Sequence, residues 1–131
     1  MSKTLKDYAD LQFEEGITPY VYKVLDIEVI DGDTVIAEID LGFSVRHNCR
    51  MRLWGINAPE INTEAGKEAR HYLGDVVGTN SLVVRTIKDK EDKYGRMLCI
   101  LYWQISGNHY GCVNQEMIED GMAVGYYGGK R

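Results

Sequence analysis

The sequence predicts a mainly β, α+β domain: a small five-stranded barrel with two or three helices packed outside it. Three observations predict this. Five stretches read as strands, two of them by clear two-residue alternation, and one central stretch repeats at the period of a helix. Glycine, proline and Asp-Gly signals separate these stretches. With 131 residues, 44% of them hydrophobic, the chain can fill one core but not two. A short, strongly bent sheet with a helix between its strands closes naturally into a barrel of the oligonucleotide-binding (OB-fold) type.

The elements follow in order. Residues 1–19 form an N-terminal extension and residues 20–131 the domain. In the extension Leu5, Ala9 and Phe13 recur at i, i+4 and i+8, predicting one short amphipathic helix ended by Gly16 and Pro19. That apolar stripe has no other partner in the sequence, so it is expected to cover a patch on the barrel or to dock a second copy of the chain. From Tyr20 the period changes. Val21, Lys23, Leu25, Ile27 and Val29 alternate with Tyr22, Val24, Asp26, Glu28 and Ile30, a strand rich in β-branched residues. Asp31-Gly32 makes a tight turn, and a second strand spans residues 34–40. A loop over 41–46 leads to a third strand over 47–54, whose alternation sends Met51 and Leu53 one way and Arg50 and Arg52 the other. Gly55 and Pro59 end it.

Ala69, Tyr72, Leu73 and Val76 fall at i, i+3, i+4 and i+7 and predict a helix over 65–77, stopped by Gly78. A fourth strand over 81–88 carries Val83, Val84 and Ile87. After a charged loop, a fifth strand covers 96–103, and Ser106-Gly107-Asn108 turns the chain. A second helix is predicted over 114–120, with Asn114 near its cap and Gly121 closing it.

The net charge of −5 argues against a protein that coats nucleic acid through bulk positive charge. A local basic site remains compatible with it, because screening confines such a site to roughly 10 Å. The three cysteines, Cys49, Cys99 and Cys112, form no CxxC pair and leave an odd one over, which predicts reduced thiols packed in a core. No apolar run approaches the roughly 18 residues of a membrane span, and the first residues lack the apolar stretch of a secretory signal. The expectation is a cytoplasmic protein with no membrane partner. His47, His71 and His109 are scattered, which argues against a histidine metal site or base.

Three segments carry chemistry: Asp31-Gly32-Asp33-Thr34, Arg52-Leu53-Trp54-Gly55-Ile56-Asn57-Ala58-Pro59-Glu60, and Asp92-Lys93-Tyr94-Gly95-Arg96. Phosphodiester hydrolysis needs both charge signs. Carboxylates hold a divalent cation and activate water, while guanidinium groups clamp the phosphoryl oxygens.

Together with Gly66-Lys67-Glu68-Ala69 and Asn114…Met117-Ile118…Gly121-Met122-Ala123, these segments resemble the staphylococcal nuclease-like (thermonuclease) family over about residues 20–127. The resemblance implies the five-stranded barrel and calcium-dependent cleavage of DNA and RNA at the 5′-oxygen, leaving 3′-phosphates. It implies that Asp33, Asn57 and the Ala58 carbonyl ligate calcium, or another divalent cation, and that Glu60 is the general base. It implies that Arg52 and Arg96 hold the phosphate, that Lys93 and Tyr94 contact the substrate, and that Tyr127, or Tyr126 in a shifted register, stacks on a base.

The family prototype has aspartate where Asn57 stands and threonine where Ala58 stands. It also continues into another helix after its tyrosines, where this sequence ends at Arg131. Asparagine removes one negative charge and predicts a weaker cation site. An alternative is therefore a catalytically weak or inactive OB-fold module that binds nucleic acid or protein. Retention of Arg52, Glu60 and Arg96 favours the enzyme, and Asn57 favours the module.

Overall fold

Alternation along the strands decides which face the sheet buries. Val35, Ala37, Ile39, Met51 and Leu53 all turn inward and are buried, while Glu38, Asp40, Arg46 and Arg50 between them turn outward. The computed structural model describes residues 4–5, 11–12, 20–91 and 94–127; for 11–12 and 88–91 it describes the backbone alone. The strands are β1 (Leu11–Gln12), β2 (Val21–Asp31), β3 (Thr34–Gly42), β4 (Val45–Leu53), β5 (Ile56–Asn57), β6 (Leu82–Glu91), β7 (Met97–Ser106), β8 (His109–Cys112) and β9 (Val124–Gly125). The helices are α1 (Glu64–Gly78) and α2 (Val113–Glu119).

Five strands close a mixed barrel in the order β2-β3-β4-β7-β6, with β6 pairing back to β2. Every barrel pair is antiparallel except β4–β7, a parallel seam of three rungs: Met51 beside Met97, Arg52 beside Leu98, Leu53 beside Cys99. Helix α1 buries Ala69, Leu73 and Val77, and α2 buries Val113 and Met117. The fold expected from the alternation is the fold observed.

Several details differ from the sequence reading. Residues 41–46 are not a loop: β3 runs to Gly42, β4 starts at Val45, and only Phe43 and Ser44 turn. Both have positive φ, 54° and 62°, as a two-residue hairpin matched to strand twist requires. Strand β6 extends to Glu91 and β7 to Ser106, and the Gly107-Asn108 turn opens a hairpin into β8, which the sequence reading left out. The two-residue sheet β5–β9 was also unforeseen. Asn114 lies near the start of α2, as expected, but Cys112 is the cap residue, without a side-chain bond, and Asn114 is fully buried in the first turn.

In the extension, Leu5 lies buried in a short turn, and Leu11–Gln12 pairs with the β8 edge. The extended Leu11 and Gln12 interrupt the single helix expected there, while Ala9 and Phe13 lie outside the described residues. Cys99 and Cys112 are buried, and desolvation pushes the Cys112 thiol up to about 11. Such thiols are inert at neutral pH. Among the described residues no helix is long and apolar enough to cross a membrane.

Candidate active site

The site begins at the β2–β3 turn. The Asp33 N–H donates to Asp31 Oδ1 at 3.0 Å, an Asx turn that fixes the direction of the next carboxylate. Gly32 lets this turn sit hard against its neighbours, for a Cβ there would lie 2.7 Å from that of Ala58 and 2.8 Å from that of Ala69. One Asp33 oxygen accepts from the Ala58 N–H at 2.9 Å and the other from the Thr34 hydroxyl at 3.2 Å. Burial, at 9% exposure, pushes the Asp33 carboxyl up from the ordinary carboxylate value, against the pull of the Ala58 N–H and Arg52.

Arg52 sits at the seam end of β4, across from Thr34, and is 7% exposed. Its Nη1 donates to the carbonyls of Leu53 and Ile56, both at 3.1 Å, and lies 3.7 Å from Asp33. Its Nη2 donates to Asn57 Oδ1 at 3.4 Å. These bonds use three of its five N–H donors. Arg96, just before β7, donates from Nη1 to the Thr34 hydroxyl at 3.0 Å. Thr34 thereby links the second arginine to Asp33. Tyr126 lies 5.8 Å from the Arg52 guanidinium and Tyr94 5.4 Å from that of Arg96.

Glu60 is exposed on the loop that enters α1. Its carbonyl accepts from the Thr63 N–H at 3.0 Å and the Thr63 hydroxyl at 2.6 Å, and Thr63 caps α1 through the Gly66 N–H. Gly66 makes that approach feasible, since a Cβ there would lie 1.8 Å from the Glu60 carbonyl oxygen. Gly66→Ala is therefore expected to push the Glu60 loop off the helix and cost about 1–3 kcal/mol of stability. The measurement is the urea midpoint; an unchanged midpoint would contradict the packing.

A cleft of about 800 Å³ takes in Asp33, Arg52, Asn57, Ala58, Glu60, Tyr94, Arg96 and Tyr127 together. Of the residues expected at the site only Lys93 is missing, and it lies outside the described residues. The cleft also holds Asp31 of the first motif, Tyr126, the alternative stacking tyrosine, and Trp54, for which no role was expected. Trp54 stands edge-on to Tyr127, ring centroids 5.1 Å apart at 68°. Thr34 was visible in the Asp-Gly-Asp-Thr motif, but strand alternation alone gave its hydroxyl no role. Among the described residues no group of three or more His, Cys, Asp or Glu is placed to hold a metal. A cation here would rely on a mixed set from Asp33, Asn57 and the Ala58 carbonyl. All of these are oxygens, which suits a hard divalent ion, and a partly desolvated carboxylate gains from such a neighbour.

Comparison with known proteins gives the family. The family model for staphylococcal nuclease homologues matches residues 50–131. A micrococcal nuclease of Shigella flexneri is 33% identical over 109 residues, covering 79% of this chain and 59% of that protein. An uncharacterized endonuclease of Haemophilus influenzae is 30% identical over 100 residues, covering 76% of this chain and 50% of that protein. The chain thus spans between half and three-fifths of these relatives. From the barrel, the ordered motifs and the family match together, the chain belongs to the staphylococcal nuclease homologue family.

Proposed function

We propose that this domain is a divalent-cation-dependent nuclease that hydrolyses phosphodiester bonds of DNA, RNA or both, leaving 3′-phosphates. One arrangement carries the reading: Arg52, on β4, and Arg96, just before β7, reach the same Asp33–Thr34 pair, with Glu60 in the same cleft. Two guanidinium groups beside one acidic centre suit a single phosphorus atom.

Glu60 takes a proton from water, whose oxygen attacks phosphorus in line with the departing 5′-oxygen. The P–O5′ bond breaks and the 5′-oxygen takes its proton from solvent, since an arginine holds its own too tightly to give it up. Arg52 and Arg96 neutralise the charge that builds on the equatorial oxygens, binding them through planar forks. Asp33, Asn57 and the Ala58 carbonyl would hold the cation, calcium in the leading reading, which when bound would supply Lewis-acid polarisation of a phosphoryl oxygen. Tyr94 and Tyr127, 71% and 50% exposed, offer rings to the bases, and such stacking tolerates any sequence.

Asn57 favours a second reading, a barrel that binds nucleic acid without cutting it. Digestion of single-stranded DNA, duplex DNA and RNA, with calcium and with chelator, separates the two. Degradation that needs calcium and disappears in Glu60→Gln supports the enzyme; binding without cleavage under any divalent cation supports the module. Asn57→Asp is expected to tighten calcium binding about tenfold or more, because an added ligand charge strengthens such sites. Isothermal titration measures it, and an unchanged affinity would remove Asn57 from the ligand set.

A further inference from the structure

Leu5 is 1% exposed, although it stands well before the first barrel strand. Its seat is Gly55, where a Cβ would lie 2.8 Å from Leu5 Cγ and 3.2 Å from each of its methyl carbons. Gly55 has φ +83°, a conformation that L side chains rarely adopt. A glycine there turns the chain from β4 into β5 and leaves an opening of side-chain size, which Leu5 fills. The Leu5 N–H donates to the Tyr127 hydroxyl at 3.0 Å, and the Tyr126 N–H donates to the Gly55 carbonyl at 2.9 Å. The extension is tied a second time where Leu11 and Gln12 pair with Tyr110 and His109. Gly55, Trp54, Tyr126 and Tyr127 line the cleft, whereas Leu5 stands behind them.

We infer that Leu5 is a positioning residue for the aromatic wall of the cleft: its side chain fills the Gly55 opening and its N–H holds the Tyr127 hydroxyl, setting the Tyr127 ring edge-on to Trp54. The wall needs such a tie. Tyr127 is half exposed and follows only the two-residue strand β9, so little else among the described residues restrains its ring. A ring ordered before the substrate arrives spares binding the entropy of ordering it, an effect of about three- to tenfold in affinity. The extension thus acts on substrate binding through Tyr127, and not on the chemical step.

The kinetic part of this inference rests on the nuclease reading; the spectroscopic part does not. Leu5→Ala removes the side chain, Leu5→Met keeps its volume, and Tyr127→Phe keeps the ring while deleting the acceptor. Leu5→Ala and Tyr127→Phe are each expected to raise KM for a single-stranded oligonucleotide about three- to tenfold with kcat within about twofold. The double variant should do no worse than the more affected single one, because Leu5→Ala unseats the N–H whose acceptor Tyr127→Phe deletes, so both act on one tie. The near-UV circular dichroism of the Trp54–Tyr127 pair should weaken in Leu5→Ala, which keeps both chromophores, and Leu5→Met should restore KM and spectrum. A Leu5→Ala protein with a lowered thermal midpoint but native KM and near-UV spectrum would overturn the inference, leaving Leu5 as core filling. So would a loss confined to kcat. If Leu5→Ala does not fold, Tyr127→Phe decides by KM, a native KM overturning the inference. If the wild type cleaves nothing, the nuclease reading has failed and the near-UV spectra decide alone, identical spectra in wild type and Leu5→Ala counting against the tie.

Discussion

Arg96→Ala is expected to lower kcat by about 10²–10³ while moving the thermal midpoint by no more than a few degrees. Arg52→Ala should lose the same activity and destabilise the fold as well. The difference lies in what each guanidinium touches. Arg96 is half-buried, donates to a hydroxyl and lies beside an exposed tyrosine. Arg52 is buried, satisfies two main-chain carbonyls and stands 3.7 Å from a buried carboxylate. Removing it leaves Asp33 without its cation and the carbonyls of Leu53 and Ile56 without that donor. Breaking a buried pair from one side costs about 3–5 kcal/mol. Arg52→Lys keeps the charge and loses the fork, so part of the stability and little of the activity should return. Parallel measurement of kcat and thermal denaturation tests this. If both alanine variants kept native turnover, neither arginine would serve the chemistry.

A loss of stability as large as that of Arg52→Ala is expected from Asn114→Ala. Asn114 is completely buried, and its amide joins three parts of the chain. Its Oδ1 accepts from the Leu101 N–H at 3.0 Å, and its Nδ2 donates to the carbonyls of Trp54 at 2.8 Å and Cys99 at 3.1 Å. It therefore links α2 to β7 and to the segment between β4 and β5 that carries the cleft. Alanine would remove a partner from each of these main-chain groups, at about 1–3 kcal/mol for each group left unsatisfied. The Cys99 carbonyl keeps the Trp54 N–H at 2.8 Å and suffers least. A total of about 3–5 kcal/mol follows, a fall in midpoint of roughly 10–25 °C. Asn114→Asp should do no better, since it keeps the acceptor, loses both donors and buries a charge. A fall below about 3 °C for the alanine variant would mean that the three groups find other partners.

The fold was legible where the chain repeats. β2, β3 and β4 alternate over nine or more residues each, and the apolar spacing of α1 is helical throughout. Shorter elements lacked the length to show a period. β8 has four residues with Gly111 among them, and β5 and β9 have two each. The Gly42-Phe43-Ser44 run reads as loop because nothing local says that Phe43 will accept a positive φ. Asn114 reads as a residue near the cap because asparagine favours caps; the carbonyls that claim its amide come from Trp54 and Cys99, remote in sequence. The site followed the same rule. Its charged residues sit in ordered motifs and could be named from them, whereas Trp54 and the Leu5 contact arise only when remote segments meet.

The three-rung seam between β4 and β7 has a consequence for when the cleft comes into being. Arg52 belongs to the first strand of that seam, and Arg96 immediately precedes the second. These partners are far apart along the chain, so they join only after a long loop has closed. A nascent chain emerging from the ribosome holds Arg52 well before Arg96 is available to it. Until β7 docks, the two guanidinium groups have no common target, so on the proposed nuclease reading a half-made molecule beside its own messenger RNA has no assembled phosphate clamp.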